Sequence, residues 1–161
     1  MENRKDTNKR KTKNFFKNEW RNQKNLDFNF FNSKSRGICN RNCPVIFFDI
    51  ISLFARDCDY KLKECHVDAK RLFITGINKK DKNELMLRYA GDRNELIVAR
   101  ICFIEQRQGK MTELYTILKR IQKKYKTGKI IIESVMTEGM EQWCIKYGFV
   151  KMDDGSSYIE K

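Results

Sequence analysis

One proline and one histidine in 161 residues already exclude several kinds of protein. A chain with a single Pro and eight Gly is neither collagen-like nor a proline-rich linker. A Ser-His-Asp triad would have to use His66, and no nucleophile elbow accompanies any serine. Long hydrophobic runs are missing too. The longest, Val45 to Phe54, is broken by Asp49 and Ser52 and is too short to cross a bilayer. The first fourteen residues are almost all polar and carry no secretory signal, so a cytoplasmic protein is expected. In that compartment the six cysteines are expected to be thiols rather than disulfides. Neither Cys39-x-x-x-Cys43 nor Cys58 with Cys65-His66 has the spacing of a familiar zinc finger, so no metal site is assigned.

Acidic residues are in short supply: 21 Asp and Glu face 34 Lys and Arg, a net charge of +13. The excess is uneven. Residues 1–43 hold twelve basic and four acidic residues, more than half of the net charge, among many Asn and with no clear period. They read as a basic, partly disordered extension preceding a domain over residues 44–161. Arg4, Lys5, Lys9, Arg10, Lys11 and Lys13 are dense enough to bind nucleic acid non-specifically. Phe15, Phe16 and Trp20 could stack on bases or pack on the domain. No membrane partner is expected, and oligomeric state is left open.

The whole chain is 40% hydrophobic, and beyond residue 43 the apolar residues are patterned. Arg71–Ile77, Glu84–Ala90 and Glu95–Ile104 read as strands separated by turns, an antiparallel meander. In the third, Leu96 to Ala99 is continuously apolar, as in a central strand covered on both faces. The period then changes. Apolar residues at 111, 114, 115, 117, 118, 121 and 125 form the stripe of an amphipathic helix, with Gly128 as its stop. Lys129–Val135 reads as a strand. Thr137 caps a second helix with Met140, Trp143, Cys144 and Tyr147 on one face, and Phe149–Met152 and Ser157–Glu160 form a closing hairpin. Upstream, Pro44–Phe48 reads as a strand and Asp49–Cys58 as a helix.

The informative place is the strand-to-helix junction Glu105-Gln106-Arg107-Gln108-Gly109-Lys110-Met111-Thr112. A glycine there lets the backbone turn tightly and expose N–H groups, and the free N–H groups of the next helical turn point the same way. Such a junction suits a phosphate or pyrophosphate, and Arg107 and Lys110 add positive charge. Alone, a glycine between a strand and a helix is an ordinary turn.

The stretch Gln106-Arg107-Gln108-Gly109-Lys110-Met111 resembles motif A of the GNAT superfamily of acyl-CoA-dependent N-acetyltransferases, whose signature is Gln/Arg-x-x-Gly-x-Gly/Ala. Met111 stands where the family prefers Gly or Ala. The later Tyr147-Gly148-Phe149, after a strand and a helix, is similar to the family's next element, and the likeness covers about Arg71 to Lys161. The resemblance implies an α/β fold with a mixed, mostly antiparallel sheet, a splayed central strand pair and flanking helices. It implies acetyl-CoA as co-substrate and a primary amine, on a small molecule or a protein, as acceptor, with direct attack in a ternary complex. The pantetheine arm would lie along Ile101, Cys102, Phe103 and Ile104, and the pyrophosphate on Gln106, Arg107, Gln108, Gly109, Lys110, Met111 and Thr112. The spacing of histone-type members places a general base at Glu95, with Glu133 and Glu105 as the other acidic residues near the cleft. The family's usual acid, a Tyr four residues before the Gly of Gly-Phe, is replaced by Cys144, which could serve or be a core thiol. The alternative is a weakly active or inactive protein of this fold that binds nucleic acid through its basic extension.

Overall fold

The computed structural model describes residues 38–39, 47–67, 71–76 and 83–161, with side chains at 47–65, 71–76 and 83–161. The basic residues and aromatics of residues 1–37, and the side chains of Cys39, Cys43 and His66, lie outside the described residues.

Among these residues one sheet of eight strands runs in the spatial order β1-β2-β3-β4-β5-β6-β8-β7. The strands are β1 (Ile38–Cys39), β2 (Leu62–Val67), β3 (Arg71–Gly76), β4 (Glu84–Ala90), β5 (Glu95–Cys102), β6 (Ile130–Ile132), β7 (Phe149–Lys151) and β8 (Tyr158–Glu160). Helix α1 (Phe48–Asp57) precedes β2, α2 (Lys110–Tyr125) joins β5 to β6, and α3 (Glu138–Lys146) joins β6 to β7. Pairing is antiparallel from β2 through β5 and among β6, β8 and β7, and parallel between β1 and β2 and between β5 and β6. This is the mixed, mostly antiparallel sheet with flanking helices that the sequence leads one to expect.

Side-chain alternation sorts the sheet into two faces. Leu85, Leu87 and Tyr89 of β4, Leu96 and Val98 of β5, and Ile130 and Ile132 of β6 join the core beneath the helices. The stripes Ile50, Ile51 and Phe54 of α1 and Leu114, Ile117, Leu118 and Ile121 of α2 close that core, together with Cys144 of α3. On the opposite face Ile97, Ala99 and Ile131 form a separate small cluster bordered by Met86, Ala90, Met152 and Ile159. The continuous burial of Leu96 to Ala99 therefore has two different causes, one on each face.

Two expectations need correction, and one strand is unforeseen. Phe47 and Phe48 open α1 rather than belonging to a strand, and residues 44–46 lie outside the described residues. Phe47, Ile50, Ile51 and Phe54 are fully buried at helical spacing, and that stripe dominates the β-favouring aromatic pair. Second, β2 is a strand that the sequence does not announce, because Lys61, Lys63 and Glu64 dilute its alternation around buried Leu62 and Cys65. Third, Lys126, in the left-handed conformation (φ 51°), caps α2, and Gly128 does other work. Its N–H donates to the Asn94 carbonyl at 2.5 Å. A Cβ at Gly128 would lie 2.8 Å from that same oxygen. Asn94 also donates from Nδ2 to the Lys126 carbonyl and accepts from the Tyr89 hydroxyl. The turn before β5 is thus tied to the exit of α2, which sets where β6 begins.

Gly128→Ala is therefore expected to destabilise the protein by about 1–3 kcal/mol through overpacking against backbone. A urea titration that gives an unchanged midpoint would show that the two segments can move apart at no cost.

Candidate active site

Strand β5 pairs with β4 over its whole length, from Ala90 opposite Glu95 to Glu84 opposite Cys102. The register shifts between Met86 and Leu87, which face Arg100 and Val98, so Ala99 is the extra residue of a bulge. On its other side β5 is paired only at Leu96, Ile97 and Val98, opposite Ile130, Ile131 and Ile132. One more bond follows, from the Glu133 N–H to the Val98 carbonyl at 2.9 Å. The chain then turns away at Ser134 (φ 56°), and the Val135 N–H bonds to Ser156 instead. The strand expected over residues 129–135 is cut short for this reason. Ala99 to Ile101, about 10 Å of strand edge, run on with no ladder to β6. The central pair parts beyond Val98, so the opening lies at the C-terminal end of β5.

At the foot of this wedge lies the loop over residues 105–109. Arg107 (φ 62°) and Gly109 (φ 72°) both adopt the left-handed conformation. Left-handed residues of this kind are an ingredient of anion-binding nests. Gly109 is the N-cap of α2, and the N–H groups of Lys110, Met111 and Thr112 have no intrahelical acceptor. The space where a Gly109 side chain would project is empty to 4 Å. Met111 does not cover the loop, because its side chain packs against the helix-side core.

The junction is anchored by a residue that sequence reasoning missed. Asp57, at the end of α1, is a fully buried carboxylate. It accepts from the N–H of Ile104 at 2.7 Å and of Glu105 at 3.3 Å, from Asn83 Nδ2 at 2.6 Å and from Lys110 Nζ at 2.5 Å. Burial pushes its pKa up, but the hydrogen bonds from Lys110, Ile104, Asn83 and Glu105 together outweigh burial and hold it below the usual carboxylate value. Lys110 also donates to Glu105 at 2.7 Å. Its ammonium is therefore neutralised by two carboxylates, and it offers the cradle its N–H rather than its charge. Arg107 is the cation left at the loop, with an exposed side chain. Phe103 stacks on Phe54 of α1 with ring centroids 4.8 Å apart. Ile104 gives its N–H to Asp57, so of the four residues assigned to the cofactor arm, Ile101 and Cys102 end the ladder with β4 and the other two are held by α1.

The catalytic candidates are scattered. Glu95 sits at the start of β5, in an ion pair with Arg93 Nε at 3.0 Å, with the three paired residues Leu96 to Val98 between it and the opening. Glu133 sits at the opening itself, where its carboxylate meets Arg88 Nη2 at 2.5 Å. Cys144 is fully buried in α3, and burial with nearby Glu141 pushes its thiol up to about 11. Its neighbours Trp143 and Tyr147 reach the cradle instead. Trp143 Nε1 donates to Thr112 Oγ1 at 3.1 Å, and the Tyr147 hydroxyl lies 3.1 Å from the same oxygen. Their rings stack 4.5 Å apart and both meet Tyr115 edge-on. Helix spacing put Trp143 and Tyr147 on one face in the sequence, but only the fold gives them Thr112 as partner.

No protein-family model matches the chain, and no curated protein matches it. Among solved structures it is similar to a T. thermophilus protein assigned to the acetyltransferases, at 12% identity and a TM-score of 0.38 over 55% of each chain. The match thus spans little more than half of that protein's length. It is also similar to an acyl-CoA N-acyltransferase from Pseudomonas aeruginosa, at 11% identity and a TM-score of 0.36 over 70% of this chain and 86% of the other. Among the described residues no group of His, Cys, Asp and Glu could hold a metal ion, and no helix is long and apolar enough to cross a membrane.

Asp57→Asn is expected to cost about 3–5 kcal/mol, because it strips a buried charge cluster of its centre. A folded-state pKa below the unfolded value stabilises at pH above the ordinary carboxylate range and is lost as pH falls through the folded pKa. Acid titration followed by circular dichroism is expected to show the gap between wild type and variant closing at the acid end. A gap that widens on acidification would reverse the assigned sign.

Proposed function

We propose that this chain is an acyl-CoA-dependent N-acyltransferase that moves an acetyl group from acetyl-CoA to a primary amine. The observation that carries the reading is the three-residue pairing of β5 with β6, which leaves Ala99–Ile101 as an open edge leading to a glycine-capped helix. The motif resemblance at Gln106 to Met111 supports it, and so does the emptiness above Gly109, since a diphosphate needs bare amide hydrogens there.

In this reading the thioester arm lies along the open edge of β5, and a backbone N–H of that edge polarises the carbonyl. The pyrophosphate rests on the N–H groups from Arg107 to Thr112, with Arg107 adding charge. Glu133 is the proton acceptor, because it is the carboxylate at the opening, whereas Glu95 lies behind three paired residues. The amine nitrogen forms a bond to the acyl carbon as the carbon–sulfur bond breaks. Glu133 takes one proton from the ammonium and so frees the attacking lone pair, the second N–H proton passes to solvent as the amide forms, and the departing thiolate takes one from solvent. A thiol with a pKa near about 8.5 leaves readily as the anion, so the buried Cys144 need not act. Trp143 and Tyr147 hold Thr112, and with it the first turn of α2, in position.

Isothermal calorimetry with acetyl-CoA on the full chain is the primary test. Binding is expected, and its absence at millimolar ligand would remove the proposal. Gly109→Asp is expected to weaken that binding at least tenfold, by setting an anion against the diphosphate, and unchanged affinity would show that the loop is not the site. Glu133→Gln is expected to lower kcat by about 10²–10⁴ while acetyl-CoA affinity holds. An unchanged kcat would move the base elsewhere.

A further inference from the structure

The sheet has a second face whose small apolar cluster none of the described helices joins, and on it lies an ion pair of unusual span. Arg88 belongs to β4 and Glu133 follows β6, with β5 between them. The guanidinium therefore reaches over β5 to meet the carboxylate, and it does so where β5 and β6 part. Beneath and beside the pair lie Ile97, Ala99 and Ile131, with Met86, Met152 and Ile159 around them.

The pair is only half satisfied. Arg88 gives Glu133 one terminal nitrogen, Nη2, while its Nε–H is buried with no acceptor among the described residues. A buried donor without a partner is uncommon and costly, most of all on a charged group. A carboxylate that meets a guanidinium side-on takes Nε and Nη2 together, the strongest arrangement open to it. Were an incoming anion to take that fork, Glu133 would be released to an incoming ammonium while staying beside the anion. One ligand carries those two charges side by side above an apolar body.

We infer that the acceptor is a small zwitterion of the amino-acid type with an apolar side chain, its carboxylate on Arg88, its ammonium on Glu133 and its side chain on the half-buried Met86, Met152 and Ile159 that border the Ile97–Ala99–Ile131 cluster. This rests on the acyltransferase reading above and narrows the acceptor from any primary amine to one class. The face assignment fits the chemistry. The helices and the cradle lie on one side of the sheet, so the amine enters from the other and meets the acyl carbon within the opening.

The test compares leucine with isoamylamine, which has the same apolar body and amine but no carboxylate. Thiol release from acetyl-CoA by the full chain is measured for both, with the acetylated product identified by mass. Leucine is expected to have a kcat/KM at least tenfold higher. Arg88→Met is expected to lower the leucine value about tenfold more than the isoamylamine value, mainly through KM. Arg88→Lys, which keeps the charge but not the fork, is expected to fall between. Equal use of the two amines, or an equal loss for both in Arg88→Met, overturns the proposal. So does acetyl-CoA binding in the calorimeter with neither compound acetylated, which leaves the broader function standing. Failure of acetyl-CoA itself to bind overturns both. A thermal melt of each variant identifies one that has failed to fold, in which case Arg88→Lys decides.

Discussion

A carboxylate shut away from water must collect donors or become neutral, and Asp57 collects four of them from three separate stretches of chain. It takes the side chain of Asn83 just before β4, two backbone amides where β5 ends, and the ammonium of the first residue of α2. The direction in which β5 leaves the sheet, the loop that follows and the orientation of the first turn of α2 are all fixed by this one group and by the Phe54–Phe103 stack beside it. A buried charge network of this kind adds little net stability, because desolvation cancels much of the attraction. What it supplies is geometry, since every alternative arrangement leaves a charge without a partner.

That geometry separates two jobs along one strand. The first half of β5 is an ordinary central strand, hydrogen-bonded on both sides and buried on both faces. The second half keeps its ladder on the β4 side alone. The bulge at Ala99 marks the change, as bulges do where a strand must bend away from its ladder. On the helix side of the opening the groups are amides and one arginine. On the opposite side they are a carboxylate, a guanidinium and an apolar floor. The two sides of the opening differ in chemistry because the three described helices all pack on the same side.

Much of this is legible in the sequence, and the parts that are not have physical reasons. The period of 3.6 in Met111–Tyr125 and the apolar run Leu96–Ala99 depend on local pattern and burial, so α2 and β5 can be read directly. The junction at Gln106–Thr112 can be read because backbone conformation at Gly109 depends on glycine itself. The length of β6 cannot, since Glu133, Ser134 and Val135 look like a continuing strand until the pull of Ser156 and the left-handed turn at Ser134 enter. Nor can Asp57, Arg88 or the Thr112 contacts of Trp143 and Tyr147. Each depends on a partner 31 or more positions away, and nothing in a residue's neighbours names its distant partner. Lys110 shows the same limit in reverse: its charge is evident in the sequence, but its neutralisation is not.

A receptor made of amide hydrogens is indifferent to most of the side chains that hang from it. Arg107, Gln108 and Gln106 point outward from their loop, and Met111 turns inward, so most could be exchanged without disturbing the row of donors. Gly109 is pinned by its left-handed torsion. Such a surface can change most of its letters while its shape stays put, because the row of donors belongs to the backbone.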